Sequence, residues 1–118
     1  MRTTTWPSEW LRGVLSLAVM RVLADGPTYG YAIASTLEEA GFGAIKGGTL
    51  YPLLSRLETA ELVETEWREG EGGPGRKYFR LTATGRATYA AQATQWRDFA
   101  HHTATFIHPP NGLPQEES

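Results

Sequence analysis

The chain has no cysteine among its 118 residues, so neither a disulfide nor a thiolate metal site can stabilise it. It also has no apolar run of the roughly 18 residues that a membrane-spanning helix needs. Residues 1–7 contain no apolar region of the kind found in signal peptides. These absences predict a soluble protein of the reducing cytoplasm that has no membrane partner.

Positive charge is scarce as well. The chain has 11 Lys and Arg residues against 13 Asp and Glu residues, which gives a formal net charge of −2. A protein that coats nucleic acid without specificity is strongly basic, so the net charge argues against that class. It leaves open a specific DNA-binding protein, because only the charge close to phosphate matters there. With 41% apolar and 20% charged residues, the chain is suited to a single folded domain.

Motifs of catalysis and metal binding are missing too. The sequence contains no Gly-x-Ser-x-Gly elbow, no His-Glu-x-x-His pair and no glycine-rich loop followed by a helix. His101 and His102 are adjacent and point about 100° apart on a helix, and His108 lies two turns beyond His101. Such a spacing does not form a compact metal site. We therefore expect no enzyme activity, no metal and no cofactor.

The first predicted helix runs from Ser8 to Ala24. Ser8 can cap its N-terminus, and the helix stops at Asp25-Gly26-Pro27. Its apolar residues cover nearly every side, although a helix in a small domain has only one core to face. The excess of apolar surface indicates a second partner, such as another subunit.

The second predicted helix runs from Tyr29 to Ala40, and Thr28 can cap it. The third predicted helix runs from Gly48 to Ala60. The third helix has an apolar face with spacings of three and four residues, which must be buried. That face consists of Leu50, Leu53, Leu54 and Leu57. The opposite face is polar and includes Pro52, which the first turns of a helix tolerate.

Two alternating runs follow, Leu62–Arg68 and Arg76–Leu81, and each is typical of a half-buried strand. The seven residues between them include four glycines and one proline. This pattern predicts a β-hairpin with a mobile tip.

A long final helix is predicted over Ala83–Ile107, with Thr82 as its cap. One stripe of this helix repeats at spacings of three and four, as in the seam of a coiled coil. The stripe consists of Tyr89, Gln92, Trp96, Phe99, Thr103 and Phe106. Pro109-Pro110 ends the helix, and the polar residues after it are predicted to be disordered.

This order of elements predicts a mainly α fold with a small β-hairpin, namely a winged helix-turn-helix over residues 8–82. A dimerisation helix over 83–108 and a tail over 109–118 complete the chain. In such a fold the third helix enters the major groove of double-stranded DNA, and the hairpin, or wing, offers cations to phosphates. The candidate DNA-binding residues are Tyr29, Tyr31, Lys46, Thr49, Tyr51, Pro52, Ser55, Arg56, Gly73, Arg76 and Lys77.

Three segments resemble regulators of the PadR family. Gly26–Ile33 is similar to the start of that family's second helix, Gly48–Glu58 to its recognition helix, and Gly73–Thr82 to its wing and second strand. The resemblance covers about Leu11–Ala87 and implies a dimeric repressor of a near-palindromic operator. It also implies the short-tailed subgroup, in which the final part is a single dimerisation helix.

The chain departs from the family pattern at the recognition helix and in the wing. Glu61 stands where the family more often has glycine, and Glu69 and Glu71 place negative charge in the wing. We therefore expect modest DNA affinity with a steep salt dependence.

The resemblance also implies a response to small aromatic or cytotoxic compounds. Two symmetry-related Trp96 rings, with Trp10 or Met20 nearby, could enclose a flat aromatic effector, while Gln92 and Thr103 supply polar groups. The alternative is that these side chains serve dimer packing alone. The residues assigned to the dimer and to this possible effector site are Trp10, Val14, Leu17, Tyr89, Gln92, Trp96, Phe99, Thr103 and Phe106.

Alternative functions remain open from the sequence. The net charge and the acidic wing also suit a winged-helix adaptor that binds proteins and not DNA, or a ligand-binding protein whose DNA role is secondary. Tyr51 either contacts DNA or packs on the second helix. Of Tyr29 and Tyr31, one is expected to contact phosphate while the other packs inward.

Overall fold

A computed structural model describes residues 5–70 and 72–115 of the chain. It has four α-helices, a short π-helical segment and three strands within these ranges. The helices are α1 (Ser8–Ala24), α2 (Gly30–Leu37), α3 (Gly47–Thr59) and α4 (Ala83–Ile107). The strands are β1 (Thr28–Tyr29), β2 (Val63–Arg68) and β3 (Arg76–Leu81). The predicted fold class, mainly α with a small β element, is confirmed.

The sheet has the order β1-β3-β2, and both pairings are antiparallel. Thr28 lies opposite Phe79 and Tyr29 opposite Tyr78, so β1 adds a third strand to the predicted hairpin of β2 and β3. The prediction that Thr28 caps a helix was therefore wrong. Tyr29 is extended, with φ −111° and ψ 166°, because the free edge of β3 supplies its hydrogen-bond partners.

The ends of the helices show which capping predictions were correct. Thr82 caps α4 as predicted, since its hydroxyl accepts a hydrogen bond from the Gly85 N–H at 2.9 Å. Ser8 does not cap α1: it is the first helical residue, and the carbonyl of Pro7 accepts from the N–H groups of Trp10 and Leu11. The second α-helix ends at Leu37, three residues earlier than predicted, because it continues as the π-helical segment Glu38–Phe42, in which Gly41 has a φ of 99°.

The core lies between the first three helices and the inner face of the sheet. Leu23 of α1, Ile33 of α2 and Leu54 of α3 are almost completely buried, and Phe79 and Val63 close the core from the sheet. In α4 only Gly85 is buried, so the last helix lies mostly outside this core. The molecule is elongated, with extents of 70 × 33 × 21 Å. No helix among the described residues is both long enough and apolar enough to cross a membrane.

Glu61 ends α3 in the left-handed region, with a φ of 61°. The Leu62 N–H donates to the Leu57 carbonyl at 2.9 Å, and the Glu61 N–H donates to the Glu58 carbonyl at 2.9 Å. This pair of hydrogen bonds is a Schellman motif, which favours glycine at the position that Glu61 occupies. The backbone thus gives a physical reason for the glycine that the family more often has here.

We expect Glu61→Gly to stabilise the protein, because the left-handed conformation costs a residue with a Cβ about 1 kcal/mol. Glycine also adds freedom to the unfolded chain, so the net gain in free energy of unfolding should be roughly 0.5 kcal/mol or slightly more. Urea denaturation measures it. Glu61→Ala is the matched control, since it removes the same charge but keeps a Cβ. Equal stability of the two variants would contradict the explanation.

Candidate nucleic-acid interface

The exposed surface of α3 has a central stripe of small side chains. Helical spacing sets this stripe opposite the buried leucines, and Gly48, Pro52, Ser55 and Thr59 form it. Pro52 has no N–H to donate to the carbonyl of Gly48, so that carbonyl remains available as an acceptor. A surface of this kind lets the helix backbone approach base edges closely, with a hydroxyl and a carbonyl as reading groups.

The two flanks of α3 face different neighbours. Thr49 and Arg56 lie on the flank towards α1, where both line a cleft with Arg12. Tyr51 lies on the other flank, towards the start of α2. Helical spacing predicts one polar face for α3, whereas the structure separates these polar side chains onto two sides of the central stripe.

Tyr51 packs on the first residue of α2 and is still 52% exposed. Its hydroxyl occupies the place where a Cβ on Gly30 would stand, and its Cζ lies 2.7 Å from that position. A Cβ on Gly47 would lie 3.5 Å from Cδ2 of the same ring, which is an ordinary contact distance. The absence of a side chain at Gly30 therefore leaves the space that the Tyr51 ring occupies.

A ladder of aromatic and guanidinium groups covers the outer face of the sheet. The rings of Tyr29 and Tyr78 lie 5.5 Å apart on neighbouring strands. The guanidinium of Arg76 lies 4.4 Å from the centre of the Tyr29 ring, and that of Arg68 lies 4.3 Å from the centre of the Tyr78 ring. Cation–π contacts of this length stabilise the positions of both guanidinium groups on the outer face of the wing.

Carboxylates of the wing pair mainly with its own arginines. Arg68 donates to Glu66 at 2.8 Å, and this hydrogen bond lowers the pKa of the Glu66 carboxyl. Arg80 forms a 2.8 Å ion pair with Glu64. None of the described carboxylates pairs with Arg76, so its charge is free to meet a phosphate. Glu71, expected to make the wing acidic, lies outside the described residues.

The remaining candidates are exposed and lie at the edges of the interface. Lys46 immediately precedes α3, and Tyr31 of α2 is 78% exposed. Lys77 points to the opposite face of the wing from Arg76, with its ammonium 5.6 Å from the centre of the Phe79 ring. Gly73 lies in the wing tip, where its N–H reaches the carbonyl of Gly70 at 3.5 Å.

Sequence reasoning missed Trp67. Its strand alternation places it on the core side of β2, together with Val63, and suggests burial. In the structure Trp67 is 73% exposed, because the wing extends beyond the core at this point. Its ring is 3.3 Å from the position of a Cβ on Gly75, so it lies across the wing beside Lys77.

A family profile identifies these elements as parts of a known fold. Residues 19–91 match the family described as "Transcriptional regulator PadR-like family". The chain belongs to this family. A PadR family transcriptional regulator from Eggerthella lenta has a similar structure, with a TM-score of 0.77 and 34% identity, over 86% of this chain and 88% of that one.

Two other regulators are comparably similar to this PadR-like chain. A Streptococcus transcriptional regulator gives a TM-score of 0.74 and 35% identity, over 86% of this chain and 99% of that one. A transcriptional regulator of Mycobacterium tuberculosis is 34% identical over 79 residues, which are 67% of this chain and 72% of that protein. The family resemblance drawn from the sequence is thereby confirmed, and the chain has the fold of a DNA-binding regulator.

Two grooves lie between α1 and α4 of this PadR-like chain, and Trp96 lines both. One groove, of about 400 Å³, also contains Val14, Leu17 and Tyr89. The other, of about 300 Å³, contains Leu17 and is bordered by Gln92 and Phe99. The Trp96 and Phe99 rings meet edge to face, with centroids 6.5 Å apart.

Not all of the residues predicted around Trp96 lie in these grooves. Met20 is 1% exposed and belongs to the core, so it is not available to an effector there. Trp10 is 62% exposed on α1 and lines neither groove. Phe106, 81% exposed, lies beyond the grooves near the end of α4, and Thr103 is half-buried.

Proposed function

We propose that this PadR-like chain binds operator DNA in the cytoplasm as a homodimer and acts as a repressor. The observation that carries the proposal is the stripe of small side chains on α3, with cations on either side of it. Lys46 and Arg56 lie on one flank, whereas on the other flank Tyr51 packs on Gly30, next to Tyr29, whose ring contacts Arg76. A helix with this profile fits the major groove, and flanking cations fit the two phosphate chains that border it.

The homodimer is supported by apolar surface that a single chain leaves exposed. Trp10, Phe99 and Phe106 are each more than 60% exposed, and all three lie on α1 or α4. Large exposed apolar patches on a soluble protein commonly mark an interface. A two-fold axis through these helices would present the two α3 helices to half-sites about 34 Å apart, one turn of DNA.

Fluorescence anisotropy tests the proposal with a labelled duplex from immediately upstream of the gene. Titrations at two salt concentrations are run with an excess of unrelated duplex as competitor. Saturable binding that resists the competitor supports a sequence-specific regulator. Binding that the competitor abolishes contradicts an operator in this duplex, and genome-wide capture of bound DNA then decides between another operator and the adaptor alternative.

We expect Gly30→Ala to weaken DNA binding by displacing Tyr51, although residue 30 itself faces no DNA. The new Cβ would collide with the Tyr51 ring, which would have to turn away from its position beside the start of α2. The loss should be roughly tenfold, the value of one lost contact, and equal to that of Tyr51→Ala. The double variant should bind no more weakly than either single variant. Unchanged affinity of a folded Gly30→Ala protein would count against a role for Tyr51.

An aromatic effector at the dimer seam is a finer part of the proposal. Trp96 separates the two grooves between α1 and α4, and its partner in a homodimer would lie across the two-fold axis. A flat ligand between two such rings gains stacking on both faces, and Gln92 offers a polar group nearby. An effector that binds better to one arrangement of the subunits would change the spacing of the α3 helices and release the operator.

Titration with acridine, as a planar aromatic probe, tests this site in the absence of DNA. We expect saturable quenching of tryptophan fluorescence in the native protein and little quenching in Trp96→Phe, because the remaining tryptophans lie outside the grooves. Trp10→Phe is the matched control, since Trp10 is on α1 but lines neither groove. Equal quenching in the native protein and in Trp96→Phe would refute the assignment.

A further inference from the structure

A separate cleft of about 280 Å³ lies between the first half of α1 and the start of α3. Its walls are aliphatic and come from Leu11, Leu15, Ile45 and Leu53. None of the residues that line this cleft lines either groove between α1 and α4. The cleft is therefore distinct from the seam that the proposed aromatic effector would occupy.

Three cations surround the mouth of this cleft. Arg12 comes from α1, Lys46 from the residue before α3, and Arg56 from the last turns of α3. All three are exposed, and no carboxylate among the described residues forms an ion pair with any of them. The lining includes no Asp or Glu. An aliphatic pocket with an unneutralised ring of cations is complementary to an amphipathic anion.

We propose that this cleft binds a small organic anion with an aliphatic body, such as a medium-chain carboxylate. The hydrocarbon part would lie against Leu11 and Ile45, the two aliphatic wall residues that are only partly buried, and the carboxylate would be held by Arg12, with Lys46 and Arg56 also lining the cleft. Guanidinium groups suit this role because they can donate two parallel hydrogen bonds to one carboxylate. The walls are aliphatic, which separates this ligand class from the aromatic effectors expected at Trp96.

The position of the cleft gives the ligand a consequence for DNA binding, and this consequence rests on the proposed function. Lys46, Thr49 and Arg56 line the cleft and are also candidate DNA contacts. A carboxylate held by Arg12 beside Lys46 and Arg56 would offset the positive charge that these two residues offer to phosphate. The bound anion would therefore weaken operator binding directly, without any change in the arrangement of the two subunits.

Calorimetric titration of the full chain with octanoate, without DNA, tests the site itself. Octanamide is the matched ligand, because it has the same body and no charge. We expect saturable octanoate binding at millimolar concentrations, at least tenfold weaker binding of octanamide, and a similar loss of octanoate affinity in Arg12→Gln. Arg12 is exposed and is not one of the core residues, so this variant should fold. Trp96→Phe is the control for the seam and should bind octanoate normally.

Equal affinity for octanoate and octanamide, or unchanged octanoate binding in Arg12→Gln, would overturn the proposal, as would the absence of saturable binding. Anisotropy on the operator duplex provides a second readout. Saturating octanoate should reduce the magnitude of the salt slope by about one for each chain, because one carboxylate offsets one positive charge. Because the calorimetry uses no DNA, failure of the cleft proposal is distinguished from failure of the protein to bind an operator.

Discussion

Replacing Arg76 and Lys77 together by alanine should lower operator affinity roughly a hundredfold, since each lost charge-assisted contact contributes about 1.5 kcal/mol. The slope of log affinity against log salt should become shallower by about two, because each phosphate contact releases close to one counterion. Both quantities come from anisotropy titrations of the native and doubly substituted proteins at several salt concentrations.

The size of this effect follows from the geometry of the wing. Arg76 is held over the Tyr29 ring on the outer face, whereas Lys77 points to the inner face beside Trp67. Arg68 forms an ion pair with Glu66, and Arg80 forms one with Glu64. These two arginines can therefore substitute only poorly for Arg76 and Lys77 as phosphate contacts. The two substituted cations thus supply most of the wing charge that remains available to a phosphate chain.

Arg97→Gln serves as the matched control for loss of a positive charge. Arg97 lies on α4, is exposed, and is not one of the candidate DNA-binding residues. This variant should keep the native salt slope. A salt slope that is unchanged in the double alanine variant would refute the assignment of the wing cations to phosphate, whatever the change in affinity.

The elements with strong local signals were predicted closely. The predicted bounds of the first helix, the second hairpin strand and the final helix agree with α1, β3 and α4. The two helices have a local stop or start signal, namely Asp25-Gly26-Pro27 after α1 and the Thr82 cap before α4. Strand β1 could not be predicted in this way, because two residues become a strand only through the unpaired edge of β3, which is 50 residues further along the chain.

The candidate site was predictable in its residue types but not in its arrangement. Helical spacing alone places Thr49, Tyr51 and Arg56 on the polar side of α3, yet their roles depend on what packs against each flank. Gly30 directs Tyr51, and α1 forms a cleft with Thr49 and Arg56. Arg12 carries no local signal at all, because only tertiary packing brings it beside the start of α3.

A second large effect is expected from Phe99→Glu combined with Phe106→Glu. In a single chain both rings are exposed, 63% and 81%, so these substitutions should leave the monomeric fold intact. In a homodimer that packs along this stripe, four carboxylates would be forced into an apolar interface. An unpaired buried charge costs several kcal/mol, which is enough to dissociate the dimer at micromolar concentrations.

Sedimentation equilibrium measures the dissociation, and circular dichroism checks that the helices remain. The control is Thr94→Glu combined with Thr105→Glu, which adds the same charge to the opposite side of α4. Both threonines are exposed, and helical spacing turns them away from the stripe of Trp96 and Phe99. The control protein should remain dimeric, so any general effect of added charge on the long helix is separated from an effect on the seam.

Dissociation of the dimer should also weaken operator binding. Two linked half-sites bind far more tightly than one, because the second contact is made within an already formed complex. The Phe99→Glu, Phe106→Glu protein should therefore bind a full operator no better than a single half-site. If it stays dimeric, the interface lies elsewhere. If it is monomeric and still binds the full operator with native affinity, the two α3 helices are not coupled through α4, and an effector bound beside Trp96 would have no route to the DNA.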